Sequence, residues 1–306
     1  MITNNKKILV TGGSGMVGQS LMKIMPNAIY LSSKDFDLTC ENDVIRMFKK
    51  YKPNKVIHMA AKVGGIIDNI SHQYDYFTQN IKMNTFMVEH SFLNNVEQFI
   101  GILSSCIYPD VSEKYPMDEM DLHKGPPTKT NFSYGYAKRC LAVQIDSLNK
   151  QHGTKYQYLT PCNLYGENDK MGENSHFVAA LLEKILKSVN NNINEIILYG
   201  TGNPLRQFMH SDDLAWVIKE CVDKEIYESF NVSTKDNLSI REMAEKALKV
   251  LNLDNIKIKF DSSKPDGQFR KDISIDRLNY LFPNFNPLSF EEGIKLTYDK
   301  ISKRHN

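Results

Sequence analysis

The chain has 306 residues, of which 41% are hydrophobic, 10% aromatic and 24% charged. That supplies a core for one large α/β domain or two smaller ones and excludes disorder, collagen-like repeats and a disulfide scaffold. Lysine plus arginine number 38 against 36 aspartate plus glutamate, a net charge of +2, so nothing attracts nucleic acid or an anionic membrane in general, and an anionic ligand needs a local cluster. Cys40, Cys106, Cys140, Cys162 and Cys221 form no CxxC or Cys/His metal spacing, and an odd count suits a reducing, cytoplasmic compartment. The apolar run at 8–10 is too short for a signal-peptide core. The run at 177–182 is far below the roughly 20 residues of a membrane helix, so a soluble protein is expected.

Short apolar or β-branched runs at 7–10, 28–31, 55–59, 98–103 and 156–160 alternate with helical stretches. The alternation predicts an α/β fold, a Rossmann-type doubly wound parallel sheet. A helix over about 72–94 is apolar on two sides, with Tyr74, Phe77, Ile81, Val88 and Phe92 on one and Tyr76, Met83, Phe86, Met87 and Leu93 on the other. One side covers the sheet; the second is read as a homodimer interface, with burial under a loop of the same chain as the alternative. Beyond 163 the pattern loosens into a loop at 166–174, a strand at 196–199, a helix at 240–251 and a last helix after Pro287. Residues 211–222 and 229–232 read as a return to the sheet. The expected division is 1–162 with about 207–233 as the cofactor-binding part, and 163–206 with about 234–306 as a smaller α/β substrate-binding part.

Gly12, Gly15 and Gly18 lie between the first strand and a helix opened by Met16 and Val17. Glycine permits the sharp turn and lets a diphosphate approach the backbone, and the helix N-terminus favours its charge, so a dinucleotide site is expected here. After the second strand come Ser32, Ser33 and Lys34 where an NAD site places an acid; a cation there suits the 2′-phosphate of NADP. Asp35 turning inward is the alternative, and Asp37 with Leu38 edges the adenine. Tyr134 and Lys138 sit four apart on one helix, with Ser104 and Ser105 at the end of the fourth strand. An ammonium beside a phenol lowers its pKa toward the working range, which suits proton transfer.

The order of the three glycines, Ser104 and the Tyr134/Lys138 pair resembles the extended short-chain dehydrogenase/reductase superfamily. Residues 60–66 beginning at Ala60, 104–109, 163–166 with 174–176, 200–208 and 264–271 are similar to the GDP-L-fucose synthase family, a likeness that runs from residue 8 to about 275. The resemblance implies an enzyme that inverts C3 and C5 of GDP-4-keto-6-deoxy-D-mannose and then reduces the C4 ketone with NADPH. It implies Cys106 and His176 as the acid–base pair, Ser104 as a hydrogen-bond partner of the ketone oxygen, and Tyr134 as its proton donor. It places Asn163 near nicotinamide and sugar, and Arg206 with Lys271 on the diphosphate. Lys184 stands where some members carry arginine, and Tyr199 where many carry tryptophan. Cys162 replaces a threonine, and 167–173 departs from the family wording. The rivals are a related nucleotide-sugar reductase or 4-epimerase, which needs no Cys/His pair, and a catalytically silent NADP-binding regulator, which would have lost Tyr134 or Lys138.

Overall fold

A computed structural model of the chain describes residues 6–172 and 175–305. Asn174 of the 174–176 match, Glu173 at the end of the expected loop, and the two extreme termini lie outside the described residues. In chain order the strands are β1 (Ile8–Thr11), β2 (Ile29–Leu31), β3 (Lys55–His58), β4 (Gln98–Ile102), β5 (Tyr156–Pro161), β6 (Asn163–Tyr165), β7 (Glu195–Tyr199), β8 (Leu205–Arg206), β9 (Phe208–His210), β10 (Phe230–Val232), β11 (Leu238–Ser239) and β12 (Lys257–Asp261). The helices are α1 (Met16–Ile24), α2 (Glu41–Tyr51), α3 (Ile66–Ser71), α4 (Gln73–Leu93), α5 (Phe132–His152), α6 (Phe177–Asn190), α7 (Ser211–Asp223), α8 (Ile240–Val250), α9 (Asp276–Leu281) and α10 (Phe290–His305).

Six strands form one sheet in the order β10-β5-β4-β3-β1-β2, parallel throughout. Its central strands are covered on both faces, which is why they read as unbroken apolar runs rather than alternating ones. Leu9, Val10, Val56, Ile57, Phe99 and Ile100 are all fully buried. The chain leaves β1 to one side for β2 and returns to the other for β3, so the crevice at the carboxyl ends of β1 and β3 is the switch point where such sheets bind ligands. The expected return of 211–222 and 229–232 is present as α7 and β10: Ser20 of α1 and Ser211 of α7 share a hydroxyl hydrogen bond of 2.9 Å, and β10 pairs with β5.

A second core gathers Leu181, Leu182 and Ile185 of α6, Met243 and Ala247 of α8, and Ile294 of α10 around the β7–β12 pair. Ser239 starts α8 with a capping box, accepting from the Glu242 amide at 3.1 Å while Glu242 accepts from the Ser239 amide at 2.7 Å; the reciprocal bonds satisfy end donors that would otherwise be orphaned. Ile273, Leu278 and Phe282 pack into the first core rather than the second, so the chain crosses between the two once more near its end. Among the described residues no helix is long and apolar enough to cross a membrane.

The two-sided helix requires a correction. Tyr76 and Met87, expected on a free face of α4, are fully buried within the chain, and Met83 and Phe86 pack half-buried on the main core. The reason is that α5 lies along α4, with the Asn84 side chain donating to the Ala137 carbonyl at 3.2 Å. The apolar side chains that α4 leaves exposed are Tyr74, Phe77 and Leu93.

Candidate active site

The cofactor end is built by close backbone approach. Gly12 has φ +73, and a Cβ there would lie 2.8 Å from the Ala60 nitrogen; one on Gly18 would lie 2.5 Å from the Gly13 carbonyl oxygen. Only glycine fits where the loop after β1 meets the loop after β3 and where α1 meets the turn. Gly15 caps α1 without a side-chain hydrogen bond, and the first turn holds no acidic residue, so no acid of that turn competes for the amides at Met16 and Val17. This cradle fits a dinucleotide diphosphate. Thr11 links the two loops, its hydroxyl 3.4 Å from the Ala60 amide and 2.8 Å from Nδ1 of buried His58.

After β2, Asp35 does not turn into the crevice. Its carboxylate accepts from the Ser32 amide and hydroxyl, both at 2.8 Å, which hold its pKa below the usual range. Asp37 is engaged in the same way by Thr39. Lys34 stands exposed beside them, and Leu38 is buried. The second-strand turn therefore presents a cation, with the nearby acids committed to local turns.

The fourth strand ends at Ile102, and a 3-10 turn over Ser105–Ile107 swings the chain out of the sheet, with Ser104 Oγ accepting from the Cys106 amide at 3.3 Å. Ser105 follows the end of the strand, as expected, and is buried in the turn. Cys106 Sγ receives the Asn131 amide at 3.2 Å and the Lys271 ammonium at 3.6 Å. Burial opposes the thiolate, but Lys271 together with hydrogen bonds from Ser104 and Asn131 outweighs it and holds the thiol below its ordinary pKa. Lys271, expected on the diphosphate, thus stands against the sulfur, where burial lowers its own pKa.

His176 lies at the start of α6, with Nδ1 3.2 and 3.3 Å from the two oxygens of Asp169. The Asp169 hydrogen bond raises the imidazole pKa against burial, and the charge of Cys106 adds to the rise. Tyr134 and Lys138 open α5, but the expected coupling between them is corrected. Lys138 is 2% exposed and donates to the Ile102 carbonyl at 2.8 Å, with burial pulling it down to about 8. Burial pushes the Tyr134 phenol upward, helped by Cys106 and by Tyr76, whose ring stands edge-on at 6.4 Å. A phenol held protonated is a donor rather than a base at neutral pH.

On the second part, Asn163 Nδ2 donates to the Gln207 carbonyl at 2.8 Å. Arg206 donates to the Leu205 carbonyl at 2.8 Å, and burial lowers it to about 10, still charged at neutral pH. Arg206, Lys271 and Cys106 feel one another's charge, so two cations converge beside the thiol. Lys184 donates to the Ile197 carbonyl at 2.5 Å and lies 5.0 Å from the centre of the Tyr199 ring. Lys264 lies 5.7 Å from the same ring, which is 58% exposed. Asp266 pins the loop after β7, accepting from the Thr201 amide and hydroxyl at 2.6 and 2.7 Å. Sequence reasoning missed Asn131, Asp169 and Asp266. Asp266 stood inside a matched stretch; the other two carry no local signal.

Residues 8–233 match the NAD dependent epimerase/dehydratase family. A GDP-L-fucose synthase of Dictyostelium discoideum is 33% identical over 310 residues, covering 96% of this chain and 94% of the relative. A GDP-L-fucose synthetase of Naegleria fowleri bound to NADP superposes with a TM-score of 0.89 at 30% identity, covering 100% of this chain and 96% of that one. A GDP-6-OMe-4-keto-L-xylo-heptose reductase of C. jejuni superposes with a TM-score of 0.89 at 25% identity, covering 100% and 99%.

Proposed function

This chain belongs to the NAD dependent epimerase/dehydratase family, and from that premise we propose that it converts GDP-4-keto-6-deoxy-D-mannose to GDP-L-fucose. The observation that carries the reading is the coexistence of two proton-transfer sets: a thiol contacted by Lys271 and Asn131 together with a carboxylate-bound imidazole, and separately the buried phenol of Tyr134.

The C4 carbonyl acidifies the protons on C3 and C5. Cys106, as thiolate, removes such a proton and becomes a thiol; His176, as imidazolium, delivers one to the opposite face and becomes neutral. Ser104 and Tyr134 hydrogen-bond the C4 oxygen while negative charge builds on it. In reduction Tyr134 gives its proton to that oxygen and is left as phenolate. Bound NADPH supplies the hydride for that reduction. Its holders are Gly12, Gly15, Met16, Val17 and Gly18 at the diphosphate, Lys34 at the 2′-phosphate, Asp37 and Leu38 at the adenine, and Ala60, Lys138 and Asn163 further along. Arg206, with Lys271 nearby, takes the GDP diphosphate, while Lys184 and Tyr199 take the base and ribose.

In this reading the sheet-bearing part, 1–162 with about 207–233, holds cofactor and the remainder holds the sugar nucleotide. A homodimer is proposed through the exposed Tyr74 and Phe77 of α4 and Val143 of α5; sedimentation as a monomer at micromolar concentration would refute it. Five free cysteines support a cytoplasmic setting. The test of the function is separation of its steps. Cys106→Ser should stop deuterium entry from solvent at C3 and C5 while NADPH is still consumed on the uninverted ketone. Tyr134→Phe should cut reduction by roughly 10²–10⁴-fold while deuterium still enters. If Cys106→Ser leaves L-fucose formation undiminished, the thiol is a packing residue and the reading falls.

A further inference from the structure

We propose that Asp169 is a positioning residue for His176: a carboxylate fixed by its own turn holds Nδ1–H and leaves Nε2 as the atom that meets the sugar. The inference rests on the epimerase reading above and adds the group that prepares its acid. Three observations carry it. His176 occupies the N-cap position of α6, yet its side chain makes no cap to its own helix; both carboxylate oxygens of Asp169 take the imidazole instead, at 3.2 and 3.3 Å. The Asp169 side chain is 8% exposed whereas that of His176 is 46% exposed, so the acid is an inner support and the ring the outward member, unlike a surface pair in which both ends are solvated.

The loop around Asp169 is also anchored on each side. Asp169 Oδ1 accepts from the Lys170 amide at 2.9 Å, and the Asp169 amide donates to the Gly166 carbonyl at 3.1 Å. Glu167, two residues earlier, is gripped by Lys23 at 2.7 Å and Lys300 at 2.8 Å, and Gly172 donates to Glu183 of α6 at 2.9 Å. The carboxylate therefore cannot drift with solvent, and the ring it holds is limited to one tautomer, since the nitrogen facing a carboxylate carries the proton. Three charged groups act on the ring: Asp169 and the Cys106 thiolate favour the imidazolium, and Lys271 opposes it.

The test uses the whole protein and the isosteric Asp169→Asn, with Asp169→Glu as the conservative variant. Imidazole NMR without substrate reads the His176 tautomer and titration. Deuterium entry at C3 and C5 reads the chemistry, and NADPH binding controls for folding. The expected result is a wild-type Nδ1–H tautomer with a raised titration midpoint. In Asp169→Asn that midpoint falls, and deuterium entry drops by roughly 10–100-fold in kcat with little change in KM. Asp169→Glu should recover part of both, and NADPH binding should stay unchanged throughout. An Asp169→Asn protein whose His176 titrates and exchanges like wild type overturns the proposal, as does a wild-type imidazole with the proton on Nε2. If His176→Gln still exchanges at full rate, the fault lies instead in the epimerase reading of His176; the NMR arm, which needs no substrate, separates that failure from loss of the Asp169 pairing.

Discussion

Replacing Lys271 by methionine isolates what the ammonium does for Cys106, because methionine keeps most of the side chain's length and removes the charge. With Nζ 3.6 Å from Sγ, the attraction to a thiolate is about 1 kcal/mol at the dielectric of water and about 4–5 kcal/mol at the effective value of about 20 that suits protein sites. Even the smaller figure corresponds to roughly a fivefold change in thiolate population. Lys271 and the hydrogen bonds from Ser104 and Asn131 hold the thiol below its ordinary pKa against burial, so Lys271→Met should need a higher pH to reach the same thiolate fraction. Iodoacetamide labelling of Cys106, followed by peptide mass spectrometry across pH 6–10 (a range of about four units chosen around the free thiol value), reads this without substrate. At pH near 7 the variant should label at least about fivefold more slowly, and the two curves should converge in alkali. Superimposable pH–rate profiles would refute the electrostatic role of Lys271.

Lys34→Glu should lower kcat/KM for NADPH by roughly tenfold or more, through loss of a charge-assisted contact to the 2′-phosphate, while NADH use is spared; wild-type preference for NADH would contradict the assignment. Gly18→Ala places a Cβ 2.5 Å from the Gly13 carbonyl oxygen, an overpacking that should cost roughly 1–3 kcal/mol; a lower melting temperature and weaker NADPH binding by fluorescence check it. Glu167 is opposed by burial but drawn down to about 2 by the Lys23 and Lys300 hydrogen bonds. A carboxylate depressed on folding contributes stability that is whole above its free pKa and lost as pH falls toward the folded value. Glu167→Gln should therefore cost roughly 1–3 kcal/mol near neutrality, allowing for solvent around both lysines. The gap to wild type in thermal melts should shrink between about pH 4.5 and 2; a gap independent of pH would contradict the ion-pair account.

The sheet was legible because its strands are buried on both faces and announce themselves as apolar runs, and the glycine turn because only glycine survives its backbone contacts. Tyr134 and Lys138 were legible as a pair four apart, but not the direction of their pKa values, which depends on burial and on Lys138 reaching the Ile102 carbonyl. Periodicity marked both apolar sides of α4 without saying that α5 covers one of them. The surroundings of Cys106 were the least legible part: Asn131 and Lys271 come from segments 25 and 165 residues away, and no local spacing relates them. Asp169 was hidden in a loop whose wording departs from the family, although the pairing it makes lies only 7 residues along the chain.

Product analysis in deuterated water measures most directly whether one site both inverts and reduces. The purified protein is incubated with GDP-4-keto-6-deoxy-D-mannose and NADPH, absorbance of the reduced cofactor is followed, and the product sugar is identified by NMR and mass spectrometry. The expected product is GDP-L-fucose with deuterium at C3 and C5, with one NADPH consumed per product molecule. A reduced product that retains the D configuration and carries no deuterium at those carbons would contradict the proposed function and mark the protein as a reductase alone.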